Sequence, residues 1–178
     1  SSTNKEAIAL ITNNMSTQLA LSKLSKTRIH HISTTNLTNT SWRTIRDQVL
    51  TDSMLLIIDI PSYGTKDGGR RDKLIIHRIC KFLDLRDDTH IVMYNLDGSP
   101  VWDNVDVHRH VIKDNMSHSR HSVCAWDVVG PMTGKPMSRC YRFVSSFPVT
   151  DTPCKHPSPM DHDLSLIHIS EPTRQWQI

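Results

Sequence analysis

The chain has 178 residues, with 21 Lys and Arg against 18 Asp and Glu, a formal charge of +3 at pH 7. That length supports an ordinary domain with a real core, and no apolar run reaches the roughly eighteen residues that a membrane span needs. The slight basic excess permits a polyanionic partner but excludes the heavy positive footprint of a dedicated nucleic-acid binder, and four scattered cysteines without CxxC spacing exclude a disulfide scaffold, pointing to a reduced, intracellular protein.

Taken in chain order, residues 7–12 (AIALIT) form a short apolar run ending in Asn13 and Asn14, which predicts a buried strand and a turn. Residues 17–26 predict a helix, 28–33 (RIHHIS) a second strand, and Ser41 the cap of a helix to about Thr51. Residues 54–60 (MLLIIDI) are a continuous apolar run, the pattern of a central parallel strand covered on both faces. A loop at 61–69 rich in Gly, Ser and Asp leads into a helix over 70–85, whose Leu74, Ile75, Ile79, Phe82 and Leu83 make a wide apolar stripe. A strand at 90–95 and a helix at 102–112 follow, and then 123–129 and 141–146 read as a β-hairpin around the turn region Gly130 to Gly134. Strands alternating with helices and closed by a hairpin predict a Rossmann-like α/β fold, mostly parallel, with a C-terminal antiparallel hairpin.

The last stretch is different in kind. Leu164 to Arg174 reads Leu-Ser-Leu-Ile-His-Ile-Ser-Glu-Pro-Thr-Arg, which resembles, residue for residue, the translation of a common transposon-based sequencing adapter. Residues 164–178 are therefore expected to be an adapter-derived artefact on a metagenomic fragment with neither natural terminus, and to take no part in the fold. The expected division is 1–149 as the α/β domain and 150–163 as a truncated Cys/His/Pro-rich tail.

In open α/β sheets ligands bind beyond the carboxyl ends of the strands. That places Asp59, Pro61, Ser62 and Tyr63, at the end of the 54–60 run, where chemistry would sit. With the segments at Asn95–Trp102, Cys124–Trp126, Gly134–Pro136 and Arg142–Ser146, this order resembles a degenerate class I SAM-dependent methyltransferase-like domain. The type is that related to DNA cytosine methyltransferases, found in retroelement and viral polyproteins. The resemblance implies a catalytic cysteine after two prolines, and Ser62 stands in its place. An unassisted serine hydroxyl is a far poorer nucleophile than a thiolate. Asp59, Pro61 and Tyr63 loosely resemble the Asp-Pro-Pro-Tyr loop of adenine-type relatives. The family also implies a Gly-rich first turn and an acid ending the second strand. This chain has Thr12-Asn13-Asn14-Met15-Ser16 and His31-Ile32-Ser33 instead, so SAM binding by the usual route is not expected.

Lys66, Arg70, Arg71 and Lys73 beside the strand-end loop, with Arg139 and Arg142 on the hairpin and Trp102 and Tyr63 for stacking, are the residues that would hold a nucleic-acid backbone. Arginine at a helix start opposes the helix dipole, which hints at a purpose other than folding. Cys154, His156 and His162 form a thiol and imidazole cluster suited to zinc, with Cys124 or Cys140 as a fourth ligand. The leading reading is a catalytically inactive pseudoenzyme associated with nucleic acid, flanked by other polyprotein domains and without a membrane partner. An active DNA methyltransferase with a divergent SAM site, and a structural or assembly module without ligand, are the alternatives.

Overall fold

Among the described residues of this computed structural model, 5–62, 69–156 and 162–163, the alternating pattern folds into six strands and four α-helices. They run β1 (Ala7–Ile11), α1 (Met15–Leu24), β2 (Ile29–Ile32), α2 (Trp42–Asp52), β3 (Ser53–Asp59), α3 (Gly69–Leu85), β4 (His90–Leu96), α4 (Val105–Lys113), β5 (Ser117–Ser122) and β6 (Cys140–Ser145). The sheet order is β2-β1-β3-β4-β6-β5; the first four strands are parallel, and β6 lies antiparallel to both β4 and β5. This is the predicted Rossmann-like sheet with its C-terminal antiparallel pair. No helix among the described residues is long and apolar enough to cross a membrane.

β3 is central, as the continuous apolar run implied, but the two faces of the sheet are covered unequally. On one face Ile11, Leu56, Ile58, Ile91 and Met93 are buried with Val49 and Leu50 of α2, Ile75, Ile79 and Phe82 of α3, and Val107 of α4. On the other, Leu55 and Ile57 are only half-buried, and α1 buries no residue completely. Met15 is 68% exposed and Leu24 84% exposed. Residues two apart on a strand share a face, so the run covers one side fully and the other partly. The expectation of burial on both faces is corrected to that extent.

Polar capping explains several shifts in the predicted boundaries. α1 begins at Met15 because the Asn14 side chain accepts from the Thr17 amide. A 3-10 helix at Thr34–Thr38, absent from the apolar pattern, is set by reciprocal hydrogen bonds between Ser33 and Asn36. The helix expected over 102–112 is divided into a 3-10 turn at Pro100–Asp103 and α4, because Asn104 caps the latter by accepting from the Asp106 and Val107 amides.

The hairpin keeps its second strand and moves its first. β5 is Ser117–Ser122, all polar, while Val123–Trp126 is a 3-10 turn rather than a strand. β6 is already paired from Ser117↔Ser145 to Ser122↔Cys140, so Val123 only closes the ladder by donating to the Arg139 carbonyl at 3.0 Å. The chain then turns away through Asp127, in the left-handed region at φ 60°. The buried positions of β5 are Ser119 and His121 rather than apolar residues. Nδ1 and Nε2 of His121 lie 2.8 Å from Thr152 Oγ1 and Ser119 Oγ, and its ring stacks on Trp126 and tilts against Phe143.

Candidate functional site

The chain leaves β1 toward β2 and crosses back to β3, so the switch point of the sheet lies between the carboxyl ends of β1 and β3. Three residues meet there on the α1 face. Thr12 Oγ1 donates to Asp59 Oδ2 at 2.8 Å while accepting from the Asn14 amide at 3.0 Å. Tyr94 is the register partner of Asp59 on β4. Burial pushes the Asp59 carboxyl up to about 6, and the Thr12 hydrogen bond offsets this only in part. Burial also raises the Tyr94 phenol, with the Asp59 charge adding to it and hydrogen bonds with Thr17 and Thr12 opposing it.

Ser62 lies apart from this group. Asn95 belongs to the opposite face of β4, with Ile91 and Met93, and its amide donates to the Ile60 carbonyl at 2.6 Å and to Ser62 Oγ at 3.3 Å. Ser99 Oγ donates to the Ser62 carbonyl at 3.2 Å. Asp59 and Ser62 are thus drawn to different faces. Among the described residues, the side chain against the Ser62 hydroxyl is a neutral amide, which cannot take its proton. Pro61 is half-buried between the two; Tyr63 lies outside the described residues.

The turn that would face a cofactor is crossed by side chains. Asn13 Oδ1 accepts from Ser33 Oγ and, at 3.0 Å, from the Thr34 amide, tying the loop after β1 to the loop after β2. A nucleoside cofactor entering by the usual route needs bare backbone at the first loop and a carboxylate at the second. Asn13 and Ser33 supply neither, so these residues do not fit SAM bound that way. A shallow polar groove lined by Glu6, Lys26, Thr27, Arg28 and Asp52 lies at the other end of the sheet, beside the starts of β1 and β2 and remote from the switch point.

The arginines divide into two groups. Arg142 Nε donates to Asp97 Oδ1 at 2.8 Å, Arg120 adds a second hydrogen bond at 3.3 Å, and the Arg142 guanidinium lies 5.5 Å from the Trp102 ring centre. Burial would raise the Asp97 carboxyl, but hydrogen bonds from Arg142 and Arg120 hold it below the ordinary carboxylate value. Arg139 is buried. Arg70, Arg71 and Lys73 are exposed at the start of α3, with Arg71 Nη2 donating to Thr35 Oγ1 at 2.9 Å; Lys66 lies outside the described residues.

Beside Arg71 the fold gathers cations that sequence reasoning missed. Arg43, Arg46 and Arg78 place their guanidiniums 5.7, 5.2 and 4.8 Å from the ring centre of Trp42. Arg43 and Arg46 are one turn apart on α2, and Arg71 and Arg78 two turns apart on α3, so each pair shares a helix face. That spacing was available in the sequence. The convergence of α2 and α3 on one tryptophan was not.

The Cys/His cluster assembles from three separate segments. Cys154 Sγ lies 3.5 Å from His156 Nδ1 and 3.3 Å from His162 Nε2. Cys124, buried in the 3-10 turn after β5, joins them, and the four ligand atoms lie within 4.8 Å of one another. Cys140, the alternative fourth ligand, sits in β6 with its thiol against the Tyr141 carbonyl. Cys80 is a core residue of α3, its thiol pushed up to about 12 by burial and by the charges of Asp106 and Asp84.

The sequence matches no family model and no curated protein. Among solved structures, the crystal structure of S. pombe Dnmt2 methyltransferase is similar to this chain, with a TM-score of 0.49 and 9% identity. The match covers 81% of this chain and 51% of that one, so the chain spans about half the length of that methyltransferase. The Rossmann-like assignment stands on strand order and direction.

Proposed function

We propose that this chain is a methyltransferase-like Rossmann module that has lost catalysis and serves as a nucleic-acid-associated part of a larger mobile-element or viral polyprotein. The observation that carries the reading is Asn13, whose side chain bridges the loops after β1 and β2 where a cofactor would need open backbone. The separation of Asp59 from Ser62 and the neutral amide beside the Ser62 hydroxyl support it, because a serine nucleophile needs a base within reach.

Association with nucleic acid is supported by the arginine face. Three guanidiniums around one ring repel one another, and Asp47, 2.9 Å from Arg46, offsets the charge of one of them. A chain of phosphates would relieve that repulsion, and arginine suits phosphate through its planar set of donors. Arg71 lies next to this group through Thr35, which makes Arg43, Arg71 and Arg78 the contact set we favour, with Arg70 and Lys73 at its border and Arg46 contributing less because it is paired with Asp47. Arg142 contributes less, being neutralised by Asp97.

Calorimetry with SAM and a salt titration with a labelled oligonucleotide test both halves on one sample. SAM should give no heat at micromolar concentrations. Oligonucleotide affinity should fall with salt by a log–log slope of about −0.7 to −0.9 per phosphate neutralised. Replacing Arg43 and Arg71 by Ala should lessen that slope by about one for each phosphate no longer neutralised. Micromolar SAM binding would favour an active enzyme with a divergent site, with Asp59 and Tyr63 at the target amine. Absent or salt-insensitive oligonucleotide binding would leave a structural module.

A further inference from the structure

We infer that Cys124, Cys154, His156 and His162 form a closed, four-coordinate zinc site that fastens the segment after β6 to the β5 edge of the sheet. With zinc–sulfur and zinc–nitrogen bonds of about 2.3 and 2.05 Å, a tetrahedral site separates a sulfur from a nitrogen ligand by about 3.6 Å. The two sulfur–nitrogen separations from Cys154 are 3.5 and 3.3 Å, and no pair among the four ligand atoms, Cys124 included, exceeds 4.8 Å. Two thiols and two imidazoles match the borderline softness of zinc, and their number fills its coordination. The site is therefore structural, with no position left for a substrate or an activated water.

Three of the four ligands are held by neighbouring backbone that does not depend on the metal. Cys124 is the second residue beyond β5, and its carbonyl accepts from the Asp127 amide. Cys154 lies two residues beyond Thr152, whose amide donates to the Arg120 carbonyl at 2.9 Å and whose carbonyl accepts from the Ser122 amide at 2.8 Å. His162 precedes Asp163, which pairs with Met137 as a short bridge; the Asp163 amide donates to the Pro136 carbonyl at 2.7 Å and its carbonyl accepts from the Ser138 amide at 3.1 Å. Gly130 makes room for this docking, since a Cβ there would collide with the Asp163 carboxylate. The His156 amide donates to Cys154 Sγ at 3.4 Å, the kind of outer contact that orients a thiolate ligand.

The need for a metal is physical as well as geometric. Between β5 and β6 the chain has almost no core of its own: Val123 and Cys124 are buried, whereas Trp126 is 48% and Met132 83% exposed. A lobe too small to bury enough apolar surface requires a staple, and a metal whose binding is coupled to folding supplies one.

The test uses the full 178-residue chain under reductant. Elemental analysis should find one zinc per chain, and cobalt(II) exchanged into the site should show the visible absorption of a tetrahedral centre with thiolate ligands. Cys124→Ser, Cys154→Ser and His162→Asn should each weaken metal binding by roughly 100-fold or more, exceeding the effect of removing an outer hydrogen bond, while Cys140→Ser and Cys80→Ser should retain it. Because a ligand variant could misfold, chelation of the unaltered protein serves as a second measurement. It should lower the melting temperature and increase proteolysis between β5 and β6 while the circular dichroism of the sheet persists. Substoichiometric metal in folded protein, equal binding by Cys124→Ser, or a Cys124–Cys154 disulfide under these conditions would each overturn the assignment. SAM and oligonucleotide binding do not enter this test, so its failure is separate from failure of the functional reading.

Discussion

At the carboxyl end of β3, Asp59 carries a charge in a place that disfavours it. Its folded value of about 6 lies above the ordinary 3.8, with burial as the chief cause. The native state therefore holds the proton more tightly than the unfolded chain, and stability falls as pH rises between about 3.8 and 6. At 1.36 kcal/mol per pH unit the carboxylate costs on the order of 3 kcal/mol above that window. Asp59→Asn keeps an oxygen to accept from Thr12 and removes the charge. We expect the variant to melt several degrees above the parent at pH 8 and to match it near pH 4. A variant less stable than the parent at pH 8 would show that the charged form is stabilised in the folded state.

At the scale of elements, the antiparallel pair shows how a strand forms without apolar residues. β5 buries Ser119 and His121 only because their polar atoms bond to each other and to Thr152, and burial lowers the His121 value, favouring the neutral ring that such packing requires. β5 is also the edge of the sheet, and Thr152 covers it by pairing with the backbone of Arg120 and Ser122. Ending the chain at residue 149 would leave those groups open to another molecule. Size-exclusion chromatography with light scattering should then show self-association, with the parental chain as comparison. A monomeric shortened chain of parental stability would mean that the Thr152 pairing has no protective role.

For the whole molecule, the docking of His162 and Asp163 against residues 130–138 marks the last described contact. Residues 164–178, expected from their sequence to be adapter-derived, lie outside the described residues. On that reading, deleting 164–178 should leave both zinc content and melting temperature unchanged, because every proposed ligand is retained. A fall of several degrees in differential scanning calorimetry would instead make the segment part of the fold.

Much of this protein was legible in its sequence because one kind of information is local. The apolar run at 54–60 marked the central strand, the stripe from Leu74 to Leu83 marked α3, and strand–helix alternation implied a mostly parallel sheet. Asp59, Pro61 and Ser62 could be placed at the carboxyl end of the central strand from connectivity alone. Other features depend on partners distant in the chain. Nothing in Ser-His-Ser-Arg-His-Ser signals a strand until Thr152, Phe143 and Trp126 surround it. Nor does spacing alone choose Cys124 over Cys140, or bring Arg43, Arg46 and Arg78 to one tryptophan. Hydrophobic periodicity records which residues avoid water, and so determines the parallel strands and the helices that cover them. Polar clusters are recorded only in the distances between side chains, which tertiary structure alone decides.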